Sequence, residues 1–476
     1  MENNKTQRRT GEIFKMNTNL TEDNLNRLAL GIIEKNKCSY QDALKILGSL
    51  KLYVKCGESI RKSVSLQAAL LTIVNTGKRA FLGGVNVAMP GDVALVLPWP
   101  FSSNLNTAVR DLGATVISET EIGKNFSIHL GLPASIDDNS IEVVCNGWRG
   151  GISNGIDKIN LNQDVDFALG GILGGAIAVS AVFMKQTNIN PSSCDHSTGV
   201  SLWRPDLNWT SVEAQGPRLK YLPKRVWLLG LGHLGQAYAW TLSLMPYAKP
   251  EDFNPLLQDF DRITDGNYSA GLLTDKQNTT PRKTRHCANW LETFGFVATI
   301  TERKYDSSTM RTDEEPYLAL CGFDNAKSRL PLEGSGFDLV VESAIGSGVS
   351  DFDSIITHTF PGANKRPSDI WEDETENNIS EALIDAMQKE VKKEECGVLV
   401  TNLASKAMSA SFVGAVASAL VVSEVLRALH GGVRFESIVV RLRSLKNIRT
   451  SAIGEYSTEL GRNGFTMAAH VEEVRQ

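Results

Sequence analysis

An apolar run, Val226-Trp227-Leu228-Leu229, leads straight into Gly230-Leu231-Gly232-His233-Leu234-Gly235. No other stretch of the chain restricts the fold as much. An apolar strand turning through G-x-G-x-x-G into a helix is the opening unit of a parallel α/β sheet. Missing side chains at the turn let a phosphate or ribose approach the backbone, and the helix N-terminus favours an anion there. The same spacing also serves as a tight turn without a ligand.

The rest of the chain repeats the alternation of strand and helix, which implies a largely parallel sheet. In the first half, strands are expected at Val93 to Leu97, Ala114 to Ile117 and Ile141 to Cys145, with helices at Leu105 to Leu112 and Phe167 to Met184. Residues 21 to 75 read as helices, opened by the cap Thr21-Glu22-Asp23-Asn24. Residues 1 to about 20 read as disordered, and 210 to 224 as a linker. In the second half, strands are expected at Arg225 to Leu229, Leu256 to Phe260, Leu318 to Cys321, Leu339 to Glu342 and Ile355 to Phe360. Glu372 to Asn378 reads as a mobile acidic loop. Each half closes on a helix of small residues, Ala168 to Met184 and Ser409 to Leu429, of the kind that packs closely against a neighbour. A duplicated fold and two unrelated α/β domains fit this pattern equally well.

At 476 residues the chain is long enough for two large domains. A net charge of -5, with no basic patch interleaved with aromatics, gives no general attraction to nucleic acid or an anionic membrane. Ala168 to Met184 is uncharged but short for a bilayer span, so a buried core helix is expected. The N-terminus lacks the apolar core of a secretory signal, which points to the cytoplasm. The seven cysteines are dispersed and odd in number, which fits reduced thiols. No C-x-x-C pair exists, so no structural zinc site is expected.

Several residues can carry chemistry. Asp259 and Asp261 close the strand after the glycine turn, where acids accept ribose hydroxyls or merely end a strand. Lys283 opens the next helix and either reaches phosphates or lies on a solvated face. Asp324 follows Leu318 to Cys321, where it holds magnesium or caps the next turn. Cys396, in Glu394-Glu395-Cys396-Gly397-Val398, sits near a helix start that can favour its thiolate. Glu394 and Glu395 oppose that effect. Cys287 and Cys321 read as core. There is no P-loop.

Taken in order, Gly230, Gly232 and Gly235, then Asp259-Phe260-Asp261-Arg262-Ile263, Asn267, Lys283 and Asp324-Asn325-Ala326-Lys327-Ser328-Arg329 resemble the ThiF/MoeB-type and ubiquitin-activating-enzyme superfamily. The resemblance covers roughly residues 225 to 445. It implies two Rossmann-like, doubly wound adenylation-type domains, the N-terminal one inactive and the C-terminal one active, with a helical N-terminal extension. The corresponding boundaries are 1–75, 76–215 and 216–476. It further implies that ATP and Mg²⁺ are bound, Asp259 holding the ribose, Asn267 and Lys283 the phosphates, and Asp324 the magnesium, with Asp261, Asn325 and Arg329 part of the same site. The substrate would be the C-terminal tail of a ubiquitin-like protein. Cys396 would carry it as a thioester to a conjugating enzyme. Bacterial ThiF-like activating enzymes of antiphage operons are the nearest match, and a homodimer is compatible.

The resemblance is incomplete. The family arginine falls at Ala270 and its glutamine at Gly271, so either another arginine serves, from the N-terminal half or a second subunit, or adenylation is weakened. Arg61, Arg79 and Arg149 are the candidates. Leu82-Gly83-Gly84-Val85-Asn86 is the expected relic of a glycine turn in the first half. Rival readings are a sulfur-carrier or small-molecule adenylating enzyme, an NAD-dependent oxidoreductase, and an inactive scaffold.

Overall fold

The computed structural model describes residues 20–21, 23–134, 139–157, 159–161, 165–275, 281–346, 348, 350–371, 380–390, 397–456 and 464–469. Cys396, the first nineteen residues and 372–378 therefore lie outside the described residues.

Two short helices come first, α1 (Arg27–Asn36) and α2 (Tyr40–Ser49). Then β1 (Leu52–Cys56), β2 (Val85–Ala88), β3 (Thr115–Ile117), β4 (Ser127–Leu130), β5 (Ser140–Asn146), β6 (Arg149–Ser153) and β7 (Thr198–Ser201) form one sheet, in the order β3-β2-β1-β4-β5-β6-β7. Helices α3 (Val64–Ala80), α4 (Leu105–Asp111) and α5 (Ala168–Gln186) connect β1 to β2, β2 to β3 and β6 to β7. The strands from β3 to β5 run parallel, whereas β6 and β7 pair antiparallel.

The chain then does the same again. After β8 (Tyr221–Pro223) come β9 (Arg225–Leu229), β10 (Asn254–Gln258), β11 (Thr299–Thr301), β12 (Leu318–Cys321), β13 (Leu339–Ile345), β14 (Ser354–Phe360), β15 (Val433–Arg441) and β16 (Arg449–Glu455). Their order is β11-β10-β9-β12-β13-β14-β15-β16, again parallel as far as β13 and antiparallel beyond it. Helices α6 (His233–Ser243), α7 (Lys283–Thr293) and α12 (Ser411–Leu429) take the places of α3, α4 and α5. The second half adds α8 (Ala326–Arg329) after β12, and α9 (Pro367–Trp371), α10 (Glu381–Glu390) and α11 (Gly397–Ala404) between β14 and α12. A last strand, β17 (Phe465–Met467), pairs with β8. Seven strands and three helices thus recur in one order with one pairing scheme, as a duplicated fold requires.

Between the sheets lie α3, α5, α6 and α12, packed on one another. The small residues make this possible. A Cβ on Gly171 of α5 would stand 1.9 Å from the Ser65 carbonyl oxygen of α3, and one on Gly175 would stand 2.7 Å from that of Ala69. Backbone meets backbone there, with no room for a methyl group. Hydroxyls then satisfy one another across the layer: Thr241 and Ser418 are 2.6 Å apart, and Trp240 donates to Thr72 at 3.3 Å. Helices α5 and α12 are apolar and long enough to cross a membrane, yet 94% and 100% of their most apolar windows are buried inside the fold. They are core helices here.

Four expectations are corrected. Leu52–Cys56, placed among helices, is the central strand of the first sheet. Val93 to Leu97 forms only an isolated bridge, Ala94 to Asn104. Its backbone is held by Gln67, which donates to Ala94 and accepts from Val96, so Val93 and Leu97 are buried without the run joining a ladder. The expected linker contains β8. Gly83 and Gly84 lie where α3 turns into β2, at the opposite end of the sheet from a strand-to-helix turn. The counterpart of Gly230 is Gly57, which directly follows β1.

Candidate nucleotide site

The second sheet reverses direction between β9 and β12: the chain runs outward through β10 and β11, then returns to the other side of β9. Crevices at the carboxyl ends of such strands are where open α/β sheets bind ligands. Three adjacent strand ends deliver the predicted residues there. Gly230 follows β9, Asp259 follows β10, and Gly322 to Asp324 follow β12.

The glycines divide into two kinds. Gly230 has φ +78°, and a Cβ there would press on Phe323 at 2.8 Å. One on Gly235 would lie 2.0 Å from the Gly230 carbonyl oxygen. Gly230 makes room for the segment after β12, and Gly235 for the close approach of α6 to the strand end. Gly232 would meet nothing within 4 Å. It is the open side of the turn, and no side chain caps the N-terminus of α6. Free N–H groups of the first helical turn therefore border open space, which fits an anion.

Asp259 is almost fully buried. It accepts from the Leu231 N–H at 2.6 Å and from the Asp261 N–H at 2.8 Å, so it fixes the shape of the glycine turn. Asp261 pairs with Lys283, Nζ to Oδ2 2.7 Å. The lysine side chain is mostly buried and the aspartate half exposed. The Lys283 N–H also donates to the Asp261 carbonyl at 3.0 Å, so the pair is held at both ends. Lys283 is thus at the crevice, with its ammonium partly neutralised. Asp324 is exposed, and Asn325 donates to its Oδ1 at 3.2 Å. Asn325 also caps α8 by accepting from the Ser328 N–H at 2.8 Å. Arg329 is buried: it donates to the Phe323 carbonyl at 2.7 Å and faces the fully buried Glu342 at 3.5 Å. It braces the Asp324 turn from below. Cys287 and Cys321 are buried, and burial pushes both thiols up, Cys321 to about 12.

Asn267 lies in a short 3-10 turn beside the loop that α6 holds. Its side-chain oxygen accepts from the Thr264 N–H at 2.9 Å, capping its own short 3-10 turn, Asp265–Ser269. The departures at Ala270 and Gly271 also acquire a physical reason. Arg79 of α3 crosses from the first half and donates to the carbonyls of Gly271, Leu272 and Thr274 and to Asn75, at 2.6–3.1 Å. Its five N–H donors make five hydrogen bonds, so none is left for a phosphate. Gln236 of α6 holds the same loop by accepting from Leu273 and Thr274. Arg61 is bound to Glu58 and to the carbonyls of Pro90 and Asp92, and Arg149 to Asn146 and Ser211, all in or beside the first sheet. None of the three candidate arginines serves the crevice.

Sequence reasoning missed the nearby Arg27 and His233. His233 is the first residue of α6, and its Nδ1 lies 2.7 Å from the Ser409 hydroxyl. The residue keeps some exposed surface, but its Nε2 is buried without a partner. Burial lowers its pKa to about 4, with the charge of Arg27 a further cause and the Ala410 backbone opposing. Arg27 opens α1, in the first half. The preceding segment meets the 3-10 turn, where Gly266 donates to the Asp23 carbonyl. His233 was legible as the variable residue inside G-x-G-x-x-G, whereas Arg27 had no local signal.

Among the described residues no group of three metal-ligating side chains converges. Magnesium needs only one or two carboxylates when phosphates complete its shell, so the exposed Asp324 fits. A cavity of about 820 Å³ lies elsewhere, beside the outer strand of the first sheet, lined by Thr198, Asp206, Trp209 and Lys446. The crevice at Gly232 is open.

The fold and the site define a twice-built, doubly wound α/β protein with one uncapped glycine turn at a topological switch point. Residues 51–202 match the BilD N-terminal domain and residues 222–432 the BilD C-terminal domain. A Collimonas sp. (strain OK412) protein described as "Bacterial E1-like protein BilD" is 36% identical over 448 residues, covering 91% of this chain and 94% of that one. The chain belongs to the BilD family of bacterial E1-like proteins. Two crystal structures of E. coli MccB, one with MccA-N7isoASN, overlap at 13% and 12% identity with TM-scores of 0.31 and 0.30. They cover 70% and 51% of this chain, and 98% and 67% of theirs, and at these scores they carry no argument.

Proposed function

We propose that this protein binds ATP·Mg²⁺ at the Gly230–Gly235 turn and adenylates the C-terminal carboxylate of a ubiquitin-like protein. The observation that carries this reading is the open face at Gly232. There the uncapped N-terminus of α6 stands between Asp259 and Asp324 at adjacent strand ends. The E1-like family supplies the reaction class.

A carboxylate oxygen attacks the α-phosphorus, the α–β anhydride bond breaks, and pyrophosphate leaves. The carboxylate is already a nucleophile, so the work is positioning and charge neutralisation. The N–H groups at the start of α6 take phosphate oxygens, Lys283 adds a cation, and Asp259 offers its remaining lone pairs to the ribose. Magnesium held by Asp324 would neutralise the phosphates. The sulfur of Cys396 then attacks the acyl carbon and AMP leaves, giving a thioester that passes to a conjugating enzyme. We place the activity in the bacterial cytoplasm, in antiviral defence.

The test is a non-reducing gel of protein, ATP, Mg²⁺ and a candidate ubiquitin-like protein. A reductant-sensitive adduct in wild type, absent from Cys396→Ala, is expected. Pyrophosphate release by both proteins with no adduct would instead favour the sulfur-carrier or small-molecule adenylating reading.

A further inference from the structure

The duplication pairs residues across the two halves. Helices α3 and α6 each follow the first strand of their sheet, and α5 and α12 each precede its seventh. Asp166 stands two residues before α5, and Ser409 two residues before α12. Both touch the first residue of the facing helix. Asp166 accepts from the N–H groups of Val64 and Ser65 at 2.8 and 2.9 Å, while Ser409 meets His233 at 2.7 Å. The fourth residue of each long helix is glycine, and each clears the first turn of the facing helix. A Cβ on Gly171 would strike Ser65 at 1.9 Å, and one on Gly414 would strike the His233 ring at 2.3 Å.

The difference at this matched position is one of charge. In the first half a carboxylate sits on the N-terminus of α3, and Ser63 takes the next donor, the Leu66 N–H, at 3.2 Å. Three of the helix's four free N–H groups are thereby used, and the positive end of the dipole already holds an anion. In the second half the matched side chain is a neutral hydroxyl turned onto an imidazole, and α6 keeps its N–H groups.

We infer that the residue two positions before the long small-residue helix determines which half accepts a polyphosphate, Asp166 closing the first and Ser409 leaving the second open. This rests on the ATP reading given above. Asp166 is a built-in substitute for a phosphate, and Ser409 is a specificity-determining residue of the nucleotide site. A carboxylate at 409 would take the helix end that a phosphate needs and repel the phosphate by its charge.

The test compares full-length wild type, Ser409→Asn and Ser409→Asp by calorimetry with Mg²⁺ and α,β-methylene-ATP. Asn and Asp have the same shape, so only charge separates them. Ser409→Asn is expected within threefold of wild type and Ser409→Asp at least tenfold weaker. Equal affinity of the two variants overturns the inference. The same proteins are titrated with tripolyphosphate, which needs neither ribose nor base site. Discrimination retained for tripolyphosphate, with no nucleotide binding by wild type, would sink the ATP reading and uphold this one. No binding of either ligand would sink both. If Ser409→Asp does not fold, Ser409→Glu against Ser409→Gln asks the same question. Asp166→Asn should lower the thermal midpoint and leave nucleotide affinity unchanged, and an equal loss of affinity there would also overturn the inference.

Discussion

The two halves of this molecule share strand order, pairing and the close packing of their central helices, and they differ at the carboxyl end of one strand. After β1 the chain enters a 3-10 turn, Glu58–Arg61, and the helix beyond is capped by Ser63 and Asp166. A Cβ on Gly57 would meet the Gly131 carbonyl oxygen at 2.5 Å. After β9 the turn is wound on glycines, one of which faces open space, and the helix beyond is uncapped. The comparison teaches that a doubly wound fold does not by itself make a site. On the reading proposed here the site needs a helix end left unsatisfied by the chain, and in the first half Asp166 and Ser63 close that end.

The largest effects should come from the glycines that face backbone. Gly171→Ala and Gly235→Ala each drive a methyl group into backbone, and each should cost about 4 kcal/mol or more, read as loss of soluble folded protein. Gly232→Ala has space around it, so its thermal midpoint should stay near wild type while nucleotide affinity falls. A destabilised Gly232→Ala would mean that this glycine also serves packing, and the division into two kinds would fail.

Asp324→Asn alters an exposed residue, so stability should change by less than about 0.5 kcal/mol. Pyrophosphate release should nevertheless fall by about 100-fold, as expected when a charge-stabilising group is lost. Unchanged release would remove Asp324 from the site. A smaller effect concerns pH. His233 has a folded pKa lowered to about 4 from 6.5. The unfolded chain therefore takes up this proton first as pH falls. The contribution is fully present above pH 6.5 and is lost between there and about 4. Urea unfolding across that window should show the slope in wild type and a flatter one in His233→Gln. An equal slope in both would mean the imidazole is not shielded as the geometry indicates.

What was legible in the sequence followed from local chemistry. The glycine turn, the acids after β10 and β12, and Lys283 are written in short motifs, and the structure sets them at adjacent strand ends. What was not legible depends on packing over long distances. Arg79 looked like a spare cation because nothing nearby shows that carbonyls 192 to 195 residues away consume it. The strand β1 was absorbed into a helical reading because five residues between two helices carry little periodicity. Gly83-Gly84 attracted attention by composition, whereas Gly57, alone and without a motif, holds the matched position. Asp166 and Ser409 are ordinary residues until the duplication aligns them.

The most direct test of the account counts nucleotides. Calorimetry of the full-length protein with α,β-methylene-ATP and Mg²⁺ should give one site per chain, lost in Lys283→Ala combined with Gly232→Val and unaffected by Asp166→Asn. Two sites per chain, or a single site that survives the changes at Gly232 and Lys283, would contradict the claim that the second half holds the one open turn.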